Sequence, residues 1–574
     1  MPVANAEIAA ALEEIADLLE IDQANPFRVR AYRQAARTVG GLARGVAEML
    51  AAGERLDALP GIGADLAEKI ATLARGERLP LLEGLSGKTP AGITALLGLP
   101  GLGPKRVHKL HEALGIDSVT KLSAALAAGD VARLPGFGTV TAAKLVEALK
   151  HGAGQKPRMK LAVADEVVAP LLAALRGATG VARAEVAGSS RRRRETVGDL
   201  DLVVSAEDPR PVMQRFLGCE DVTEVLEKGT TRSSVVLRAA RLQVDLRVVG
   251  EASYGAALLY FTGSKAHNIA LRQIAIDRGL KLNEYGLFKG ARRVAGRTEA
   301  EIYERLGLAT MPPELREDEG EIAAAREGRL PRLVAIGDIR GDLHVHTDAS
   351  DGHASLAVMA AAAQARGYEY VAVTDHSRRM AMVHGLDARR LGEQITAIER
   401  LNRTLSGITV LAGIEVDILE GGTLDLPDSI LGRLDLVVGA IHSHFELAEE
   451  KQTERLLWAM DNRLLNIVAH PTGRLINGRA PYGVDMERVM RGALERGCHL
   501  EVNAQPDRLD LDAHHCRAAK ELGLRLAIST DAHDPGQFGL IRYGVDQARR
   551  GWIEADDVLN TRPLGALRKV LARK

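Results

Sequence analysis

Hydrophobic positions recur with helical spacing at the start of the chain and with strand spacing further on. Residues 1 to about 155 contain short amphipathic stretches such as EIAAALEEIADLLE, separated by glycine and proline, and predict an all-α region. From about 160 to 250, the runs DLDLVVS, SSVVLRAA and LQVDLRVVG alternate with helices. This part is therefore expected to be an α+β domain around a small sheet, followed by a smaller mixed segment at 251–315.

The polar stretch from Met311 to Leu333 is bounded by prolines and predicts a connection between domains. After it, strands and helices alternate. The predicted strands are GDLHVHT, YVAVTDHS, VLAGIEVDIL, LDLVVGAIHSH, NIVAHPT, HLEVNAQ and LAISTDAH. Strands of this kind with helical crossovers predict a parallel β/α barrel.

Composition narrows the class of protein. A chain of 574 residues exceeds what one hydrophobic core supports, so several domains are expected. The three cysteines lack CxxC spacing, which argues against a disulfide framework and fits a reducing compartment. The N-terminus lacks the pattern of a signal peptide and no long uncharged apolar run occurs, so a cytoplasmic protein without a membrane partner is predicted. Twelve of the 16 histidines follow residue 340, which indicates metal binding in the second half.

A short motif recurs three times in the helical region: LPGIG at 59–63, LPGLG at 99–103 and LPGFG at 134–138. Its glycines allow a tight turn that presents backbone N–H groups at a helix N-terminus, where a DNA phosphate binds without sequence readout. The motif resembles the helix-hairpin-helix of DNA repair proteins; the alternative is a plain connection between helices. The predicted DNA-binding residues are Gly61, Gly63, Gly101, Gly103, Lys105, Gly136 and Gly138.

Three carboxylates form a candidate metal site in the α+β region. Asp199 and Asp201 are two apart on a predicted strand, so both project from one face, and Asp245 lies on another strand that can pair alongside. Oxygen ligands of this kind suit two Mg²⁺ or Mn²⁺ ions, one activating a primer 3′-hydroxyl and one binding an incoming triphosphate. A Gly188-Ser189 turn leads into an arginine cluster, Arg191 to Arg194, placed to bind that triphosphate; this order is typical of nucleotidyltransferases.

Two later segments, ALLYFTGSKAHNIALR (257–272) and LNEYGLF (282–288), closely resemble the nucleotide pocket and thumb of family X DNA polymerases. The resemblance spans roughly residues 1–315. It implies a gap-filling polymerase of DNA repair, with base-excision repair as the setting. The residues it assigns to nucleotide binding are Ser189, Arg192, Gly198, Tyr260, Phe261, Gly263, Asn268 and Arg272.

Two positions depart from the family pattern or leave its chemistry open. Lys69, in PGIGADLAEKI, falls on the position of the Schiff-base lysine of the family's lyase segment, yet Asp65 stands where the animal enzymes carry lysine. The alternative is that Lys69 is a solvated helix lysine. Arg193 replaces a glycine common in the family, and it is expected to add bulk and charge beside the triphosphate.

The predicted strand ends of the barrel supply imidazole and carboxylate ligands in sequence. They are His344, His346, Asp351, His376, Glu415, His442, His470, Asp531 and His533. Such a set suits a cluster of Zn²⁺ or Mn²⁺ ions, which would activate water against a phosphodiester. The motifs resemble the PHP domain of bacterial polymerases, which implies 3′-5′ exonuclease activity. Arg474 and Arg508 are candidate ligands of the substrate phosphate; the alternative is ordinary surface arginines.

The predicted fold class is a multidomain chain with N-terminal all-α helix-hairpin-helix domains, an α+β nucleotidyltransferase palm and thumb, and a C-terminal distorted β/α (PHP) barrel. The predicted domains are a lyase-like helical domain (1–80), a helix-hairpin-helix domain (81–155), the palm (156–250), the thumb (251–315), a linker (316–336) and the barrel (337–574). The expected partners are gapped or nicked DNA and dNTPs, bound by a monomer.

Two other functions remain open at this point. In the first, the chain is mainly a nuclease that processes DNA ends, with weak polymerase activity. In the second, it is a DNA-end-binding scaffold with both sites vestigial. Intact carboxylate and histidine sets argue against the scaffold, because a vestigial site is expected to have lost ligands.

Overall fold

The computed structural model describes residues 5–22, 24–40, 46–59, 61–77, 79–88, 104–138, 158–238, 242–379 and 383–572, with single positions between 93 and 149. The chain divides into two compact units, Met1–Arg158 and Met159–Lys574. No helix in these ranges is both long and apolar enough to cross a membrane.

The first unit is helical, as predicted, and has two hydrophobic cores. The apolar positions of its first helix, Ile8, Leu12, Ile15 and Leu19, follow the helical period and are buried. They belong to one core, while Leu110 and Phe137 belong to the other. The described helices are α1 (Asn5–Ile21), α2 (Pro26–Gly40), α3 (Val46–Ala51), α4 (Ala64–Ala74), α5 (Pro80–Lys88), α6 (Pro104–Leu114), α7 (Val119–Ala127) and α8 (Asp130–Arg133).

The palm is built on a five-stranded sheet with the order β2-β4-β7-β6-β5, in which β4 and β7 run parallel and their neighbours antiparallel. A short β1–β3 pair stands apart. Its strands are β1 (Met159–Lys160), β2 (Val181–Val186), β3 (Thr196–Val197), β4 (Leu200–Ala206), β5 (Val222–Lys228), β6 (Arg232–Leu237) and β7 (Gln243–Val249), and its helices are α9 (Leu161–Arg176), α10 (Gly188–Arg191) and α11 (Pro209–Leu217). The hydrophobic pattern of the sequence predicted β4, β6 and β7. It did not reveal β2 or β5, and β5 is largely exposed.

The thumb combines helices with a three-stranded antiparallel sheet. Its elements are α12 (Tyr254–Thr262), α13 (Lys265–Asp277), β8 (Lys281–Asn283), β9 (Gly286–Lys289), β10 (Arg292–Ala295) and α14 (Glu299–Arg305).

The segment predicted as a linker is folded against the thumb. It contains the helix α15 (Glu321–Glu327), and both Arg316 and Glu321 are fully buried. Arg316 pairs with Glu299, while Glu321 lies 2.6 Å from Nδ1 of His267. The polar composition of this segment did not indicate that part of it is buried. Burial is possible because Arg316 pairs with a carboxylate and Glu321 lies at hydrogen-bonding distance from the imidazole of His267. The domain boundaries themselves stay predictions.

The C-terminal domain is the predicted barrel, with seven parallel strands in the order β11 to β17. A parallel bridge between Val345 and Ala532 links the first strand to the end of the last, so the sheet is nearly closed. Its strands are β11 (Gly341–Val345), β12 (Tyr370–Val373), β13 (Thr409–Asp417), β14 (Leu436–Ala440), β15 (Ile467–Val468), β16 (His499–Asn503) and β17 (Leu526–Ser529). Its helices are α16 (Leu356–Ala365), α17 (Ala388–Asn402), α18 (Asp428–Leu431), α19 (Glu449–Asp461), α20 (Met486–Arg496), α21 (Ala513–Leu522), α22 (Ile541–Arg550) and α23 (Leu564–Leu571).

Candidate metal centres and DNA contacts

Parallel pairing of β4 and β7 brings the palm carboxylates together. Asp201 and Asp245 are register partners on these neighbouring strands. Asp199 lies in the bend directly before β4, not on the strand as predicted. Burial, and then the charges of Asp199 and Asp245, raise the pKa of Asp201 to about 7, although Arg247 and Arg192 act in the opposite direction. The three carboxylates therefore repel one another across one site.

Neighbouring residues constrain two of the three palm carboxylates, Asp245 and Asp201. Asp245 accepts hydrogen bonds from Ser234 Oγ and, at 3.1 Å, from Gln243 Nε2. Gly188 has φ +63°, and a Cβ there would lie 2.5 Å from Asp201 Oδ2, so the turn requires glycine. Among the described residues, the palm oxygens do not form a group lying within 4.8 Å of one another, whereas ligands in the barrel do.

The arginine cluster is less directed at the triphosphate than the sequence predicted. Arg192 donates from Nε to Glu317 Oε1 at 3.0 Å and from a terminal nitrogen to the carbonyl of Thr262. A Cβ at Gly263 would lie 3.1 Å from the same guanidinium, so Arg192 borders the predicted nucleotide pocket. Arg191 instead forms a bidentate pair with Glu299, both bonds at 2.8 Å.

Arg193 does not add its charge beside the triphosphate, and the expectation is corrected on this point. Its guanidinium donates to both carboxylate oxygens of Asp165 at 2.9 and 2.8 Å, and its Nε donates to Asp546 of the barrel at 2.7 Å. Burial lowers the pKa of Arg193, but the two carboxylates outweigh it and raise the pKa. The residue therefore connects the palm to the barrel.

The predicted pocket residues lie against one another beside the carboxylates. The rings of Tyr260 and Phe261 meet edge to face, with centroids 5.1 Å apart. Asn268 Nδ2 donates to the carbonyl of Tyr260 at 2.7 Å, and Arg272 Cζ lies 5.1 Å from the centroid of the Tyr260 ring. Ser189 lies in α10 and Gly198 directly precedes Asp199; their part in nucleotide binding stays a prediction.

The sequence interpretation missed Arg247. Its Cζ lies 5.0 Å from the centroid of the Phe261 ring, and its charge lowers the pKa of Asp201. The signal was present in the sequence, because Arg247 follows Asp245 by two positions on β7 and so shares its face of the sheet.

The described hairpin turns expose their glycines and bury the residue between them. Gly61, Gly136 and Gly138 have φ values of +75°, +90° and +54°, while Ile62 and Phe137 are buried. Gly63 is the N-cap of α4, and Lys105 is exposed in the first turn of α6. Gly101 and Gly103 lie outside the described residues. Lys69 forms an ion pair with Asp65, one turn earlier on α4.

The barrel assembles the predicted metal ligands at the carboxyl ends of its strands. Eight of them form groups whose ligand atoms lie within 4.8 Å of one another: His346 with Asp351, His376 and His533; His344 with His346 and Asp531; and His376 with Glu415 and His442. The ninth, His470, lies with Nε2 3.1 Å from Glu415 Oε1. Because His346 and His376 each belong to two groups, the groups describe adjoining positions for cations.

The electrostatics of this cluster favour cations. Burial opposes charge, yet Glu415 and then Asp351 raise the pKa of His376 to about 10, and Glu415 with Asp417 raises that of His442 to about 9. Five imidazole nitrogens of the cluster are buried and make no hydrogen bond of good geometry among the described residues: His344 Nε2, His346 Nδ1, His346 Nε2, His376 Nδ1 and His470 Nδ1. Two of them still lie close to carboxylate oxygens, His376 Nδ1 at 2.9 Å from Glu415 and His346 Nε2 at 3.0 Å from Asp531. Divalent metal ions fit this cluster, because they would satisfy these nitrogens and replace the protons.

Carboxylates behind the ligands orient the imidazoles. Glu501 Oε1 lies 2.7 Å from His344 Nδ1, and Asp417 Oδ1 lies 2.9 Å from His442 Nδ1, so the Nε2 atoms are left to face the cluster. The sequence interpretation missed both carboxylates. Asp417 carried a signal, since it follows Glu415 by two positions on β13.

The two candidate phosphate ligands have different surroundings. Arg508 lies with Nε 3.9 Å from Asp531 Oδ2, next to the ligand cluster. Arg474 instead pairs with Glu195 of the palm at 2.7 Å and donates to the carbonyl of Arg508 at 2.9 Å. Its guanidinium is thus committed to the contact between palm and barrel, and the structure does not bring it to the metal ligands.

Comparison with known proteins gives matches along most of the chain. Residues 3–79 match the model of a helix-hairpin-helix domain, 93–151 that of a SAM-like helix-hairpin-helix tandem, 257–317 that of the DNA polymerase beta thumb and 342–482 that of the PHP domain. The chain is 37% identical over 570 residues, 99% of each protein, to the DNA polymerase/3′-5′ exonuclease PolX of Bacillus subtilis (strain 168). It is also 30% identical to a probable phosphatase of Thermoanaerobacter sp. (strain X514), over 41% of this chain and 94% of the phosphatase. These matches confirm the predicted fold class.

Proposed function

Since the chain belongs to the PolX family of DNA polymerase/3′-5′ exonucleases, we propose that its palm extends DNA primers and its barrel trims 3′ ends. The observation that carries the proposal is that two separate sets of candidate cation ligands lie in different domains. One is the aspartate site of the palm, and the other is the histidine-rich cluster of the barrel.

In the palm, Asp199, Asp201 and Asp245 would hold Mg²⁺ or Mn²⁺, because hard cations prefer oxygen ligands. The ions would activate the primer hydroxyl and stabilise the leaving pyrophosphate. Ser189, Arg192 and Gly198 bind the triphosphate. Tyr260, Phe261 and Gly263 shape the sugar and base pocket, Asn268 contacts the base edge, and Arg272 faces the template.

DNA is held through its backbone. The turns at Gly61, Gly63, Gly136 and Gly138 are assigned to phosphate binding through their backbone N–H groups, and Gly61, Gly136 and Gly138 have the positive φ values of tight turns. Gly101 and Gly103 are assigned the same role from the sequence repeat. Lys105 adds a charged contact. Contacts of this kind do not read sequence, which suits a monomer acting on gapped or nicked DNA in base-excision repair. Lyase chemistry at Lys69 forms no part of the proposed function, because the Lys69 amine is engaged in an ion pair with Asp65.

In the barrel, the nine ligands would hold Zn²⁺ or Mn²⁺ ions, because imidazole suits these metals better than Mg²⁺. The ions would lower the pKa of a bound water and polarise the phosphodiester at a 3′ end. Arg508 is the arginine proposed to bind the scissile phosphate, since it lies beside Asp531. Glu501 and Asp417 keep the ligand imidazoles in the orientation that the cluster needs.

The test is a gapped-duplex assay with Mg²⁺ or Mn²⁺, in which extension and degradation of a labelled primer are followed together. Asp201→Ala is expected to abolish extension and spare degradation, and His344→Ala to do the reverse. Each variant serves as the folding control for the other, because each retains one activity. Loss of both activities in either variant would contradict two independent sites. Tight binding of gapped DNA by a wild-type chain with neither activity would favour the scaffold.

A further inference from the structure

One face of the barrel helix α22 lies against the arginine loop of the palm, residues 191–194. Tyr543, Asp546 and Arg550 follow one another at spacings of three and four, so they share a face of the helix. Tyr543 packs into the hydrophobic core of the palm, while the other two side chains meet the loop through polar contacts.

Arg550 contacts the loop at the residue assigned to the triphosphate. Its guanidinium donates to the carbonyl oxygen of Arg192 at 2.9 Å and to Glu317 Oε1 at 3.4 Å. The same oxygen of Glu317 accepts the hydrogen bond from Arg192 Nε at 3.0 Å. The three side chains are 10%, 13% and 14% exposed for Arg550, Glu317 and Arg192, so these charge-assisted bonds are largely shielded from water.

Asp546 holds the next residue along the loop. It accepts from Arg193 Nε at 2.7 Å, and Asp165 of the palm accepts from the other edge of the same guanidinium. One helix of the barrel thus holds two consecutive loop residues, one by its backbone carbonyl and one by its side chain. Glu317 accepts from Nε of Arg192 and the carbonyl of Thr262 accepts from one terminal nitrogen, so the other donors of this guanidinium are directed by a fixed backbone.

We propose that Arg550 and Asp546 are positioning residues for nucleotide addition, so that the barrel helix α22 sets the orientation of Arg192 for an incoming triphosphate. This role rests on the proposed polymerase function of the palm. It does not involve the metal ligands of the barrel. The barrel would therefore serve synthesis as a structural support in addition to its own hydrolytic chemistry.

The chain offers a matched control on the same helix. Arg549 also crosses to the preceding part of the chain, where its Nε donates to Glu314 at 2.8 Å and its terminal nitrogen donates to the carbonyl of Val334 at 3.0 Å. Arg549→Ala removes a comparable partly buried ion pair without touching residues 191–194. If α22 mattered only for general stability, the two alanine variants would behave alike.

The experiment is steady-state filling of a single-nucleotide gap by the full chain, with dNTP concentration varied. Arg550→Ala is expected to raise KM for dNTP about tenfold, the scale of one lost charge-assisted hydrogen bond, with a much smaller change in kcat. Asp546→Asn should raise KM in the same direction, whereas Arg549→Ala should leave it unchanged. Arg550→Lys should recover part of the affinity, because it keeps a charge near Glu317. Binding of a non-hydrolysable dNTP analogue should weaken in parallel with KM.

A double variant tests whether Arg550 acts through Arg192. In an Arg192→Ala background, Arg550→Ala is expected to have little further effect on dNTP binding, because its target is gone. Full additivity would overturn the proposal, as would an unchanged KM in Arg550→Ala or an equal rise in Arg549→Ala. Exonuclease activity and thermal unfolding verify folding; if Arg550→Ala does not fold, Arg550→Lys and Asp546→Asn carry the same comparison.

The polymerase function and the positioning role give different results when either is wrong. A wild-type chain that does not extend primers would overturn the polymerase function and the positioning role with it. A wild-type chain that extends primers, with Arg550 and Asp546 variants of unchanged dNTP affinity, would overturn the positioning role alone.

Discussion

Replacing Asp201 by asparagine is expected to stabilise the metal-free protein while abolishing primer extension. Asp201 is surrounded by two other carboxylates, and burial together with these charges raises its pKa to about 7. When no cation is bound, keeping the Asp201 carboxylate charged in this site lowers the free energy of unfolding. Asparagine keeps the shape of the side chain and removes the charge, so the repulsion from Asp199 and Asp245 disappears.

The size of the effect follows from the pKa difference between the folded and unfolded chain. The pKa of Asp201 is 3.8 in the unfolded chain and about 7 in the folded chain. At about 1.4 kcal/mol per pKa unit, this difference lowers the free energy of unfolding by about 4 kcal/mol at pH 8. Partial access of solvent to the site reduces this to ~2 kcal/mol. Because the folded-state pKa is the higher one, the cost is absent below pH 4, grows as the pH rises toward 7, and levels off above it.

The assay is denaturant unfolding of wild type and Asp201→Asn with chelator present, at pH 8 and pH 5. The variant should be more stable at pH 8, and its advantage should shrink at pH 5. Adding Mg²⁺ at pH 8 should stabilise wild type more than the variant. Glu224→Gln, at an exposed position of β5 in the same sheet, is the control. A variant that is no more stable at pH 8, or whose advantage grows on acidification, would refute the reasoning.

Three further predictions concern the other sites. Glu501→Gln should raise the metal concentration needed for exonuclease activity roughly 10- to 100-fold, because His344 loses the carboxylate that orients it, and extension should be unaffected. Arg508→Ala should raise the exonuclease KM about tenfold, because Arg508 lies beside Asp531. Arg474→Ala should lower the melting temperature and leave that KM unchanged, because Arg474 pairs with Glu195. The opposite pattern would make Arg474 the arginine that binds the phosphate. Gly61→Ala should weaken DNA binding measured by fluorescence anisotropy, because the residue has φ +75° and a Cβ there would lie 2.6 Å from Gln34 Cγ. Gly53→Ala is the control, because Gly53 has φ +76° with nothing within 4 Å of an added Cβ. It carries the same backbone strain outside the hairpins and should bind DNA normally.

The grouping of the candidate ligands in the barrel could be predicted because their positions follow from secondary structure alone. Once His344, Glu415 and His470 are placed at the ends of parallel strands, the closure of the sheet brings them together without further information. Asp201 and Asp245 were predictable for a related reason, since each lies within an apolar strand and the two strands pair.

The partners of the arginines could not be predicted in the same way. Arg193 meets Asp546, and Arg474 meets Glu195, across separations of 353 and 279 positions in the chain. Neither carboxylate lies in a motif that signals its partner. An arginine in a motif shows that a charge is needed nearby, but the direction of its guanidinium depends on tertiary contacts. For that reason the sequence did not reveal the direction of the Arg193 side chain.

The two metal centres reach different electrostatic states from related ligands. In the palm, aspartate oxygens face one another, and Asp201 keeps a raised pKa, so a cation there competes with a single proton. In the barrel, imidazoles stand between the carboxylates, and despite burial the pKa values of Glu415 and Asp531 are held low. Oxygen ligands favour hard cations, whereas imidazoles favour borderline ones. On the proposed assignment, the palm would therefore favour Mg²⁺ or Mn²⁺ and the barrel Zn²⁺ or Mn²⁺.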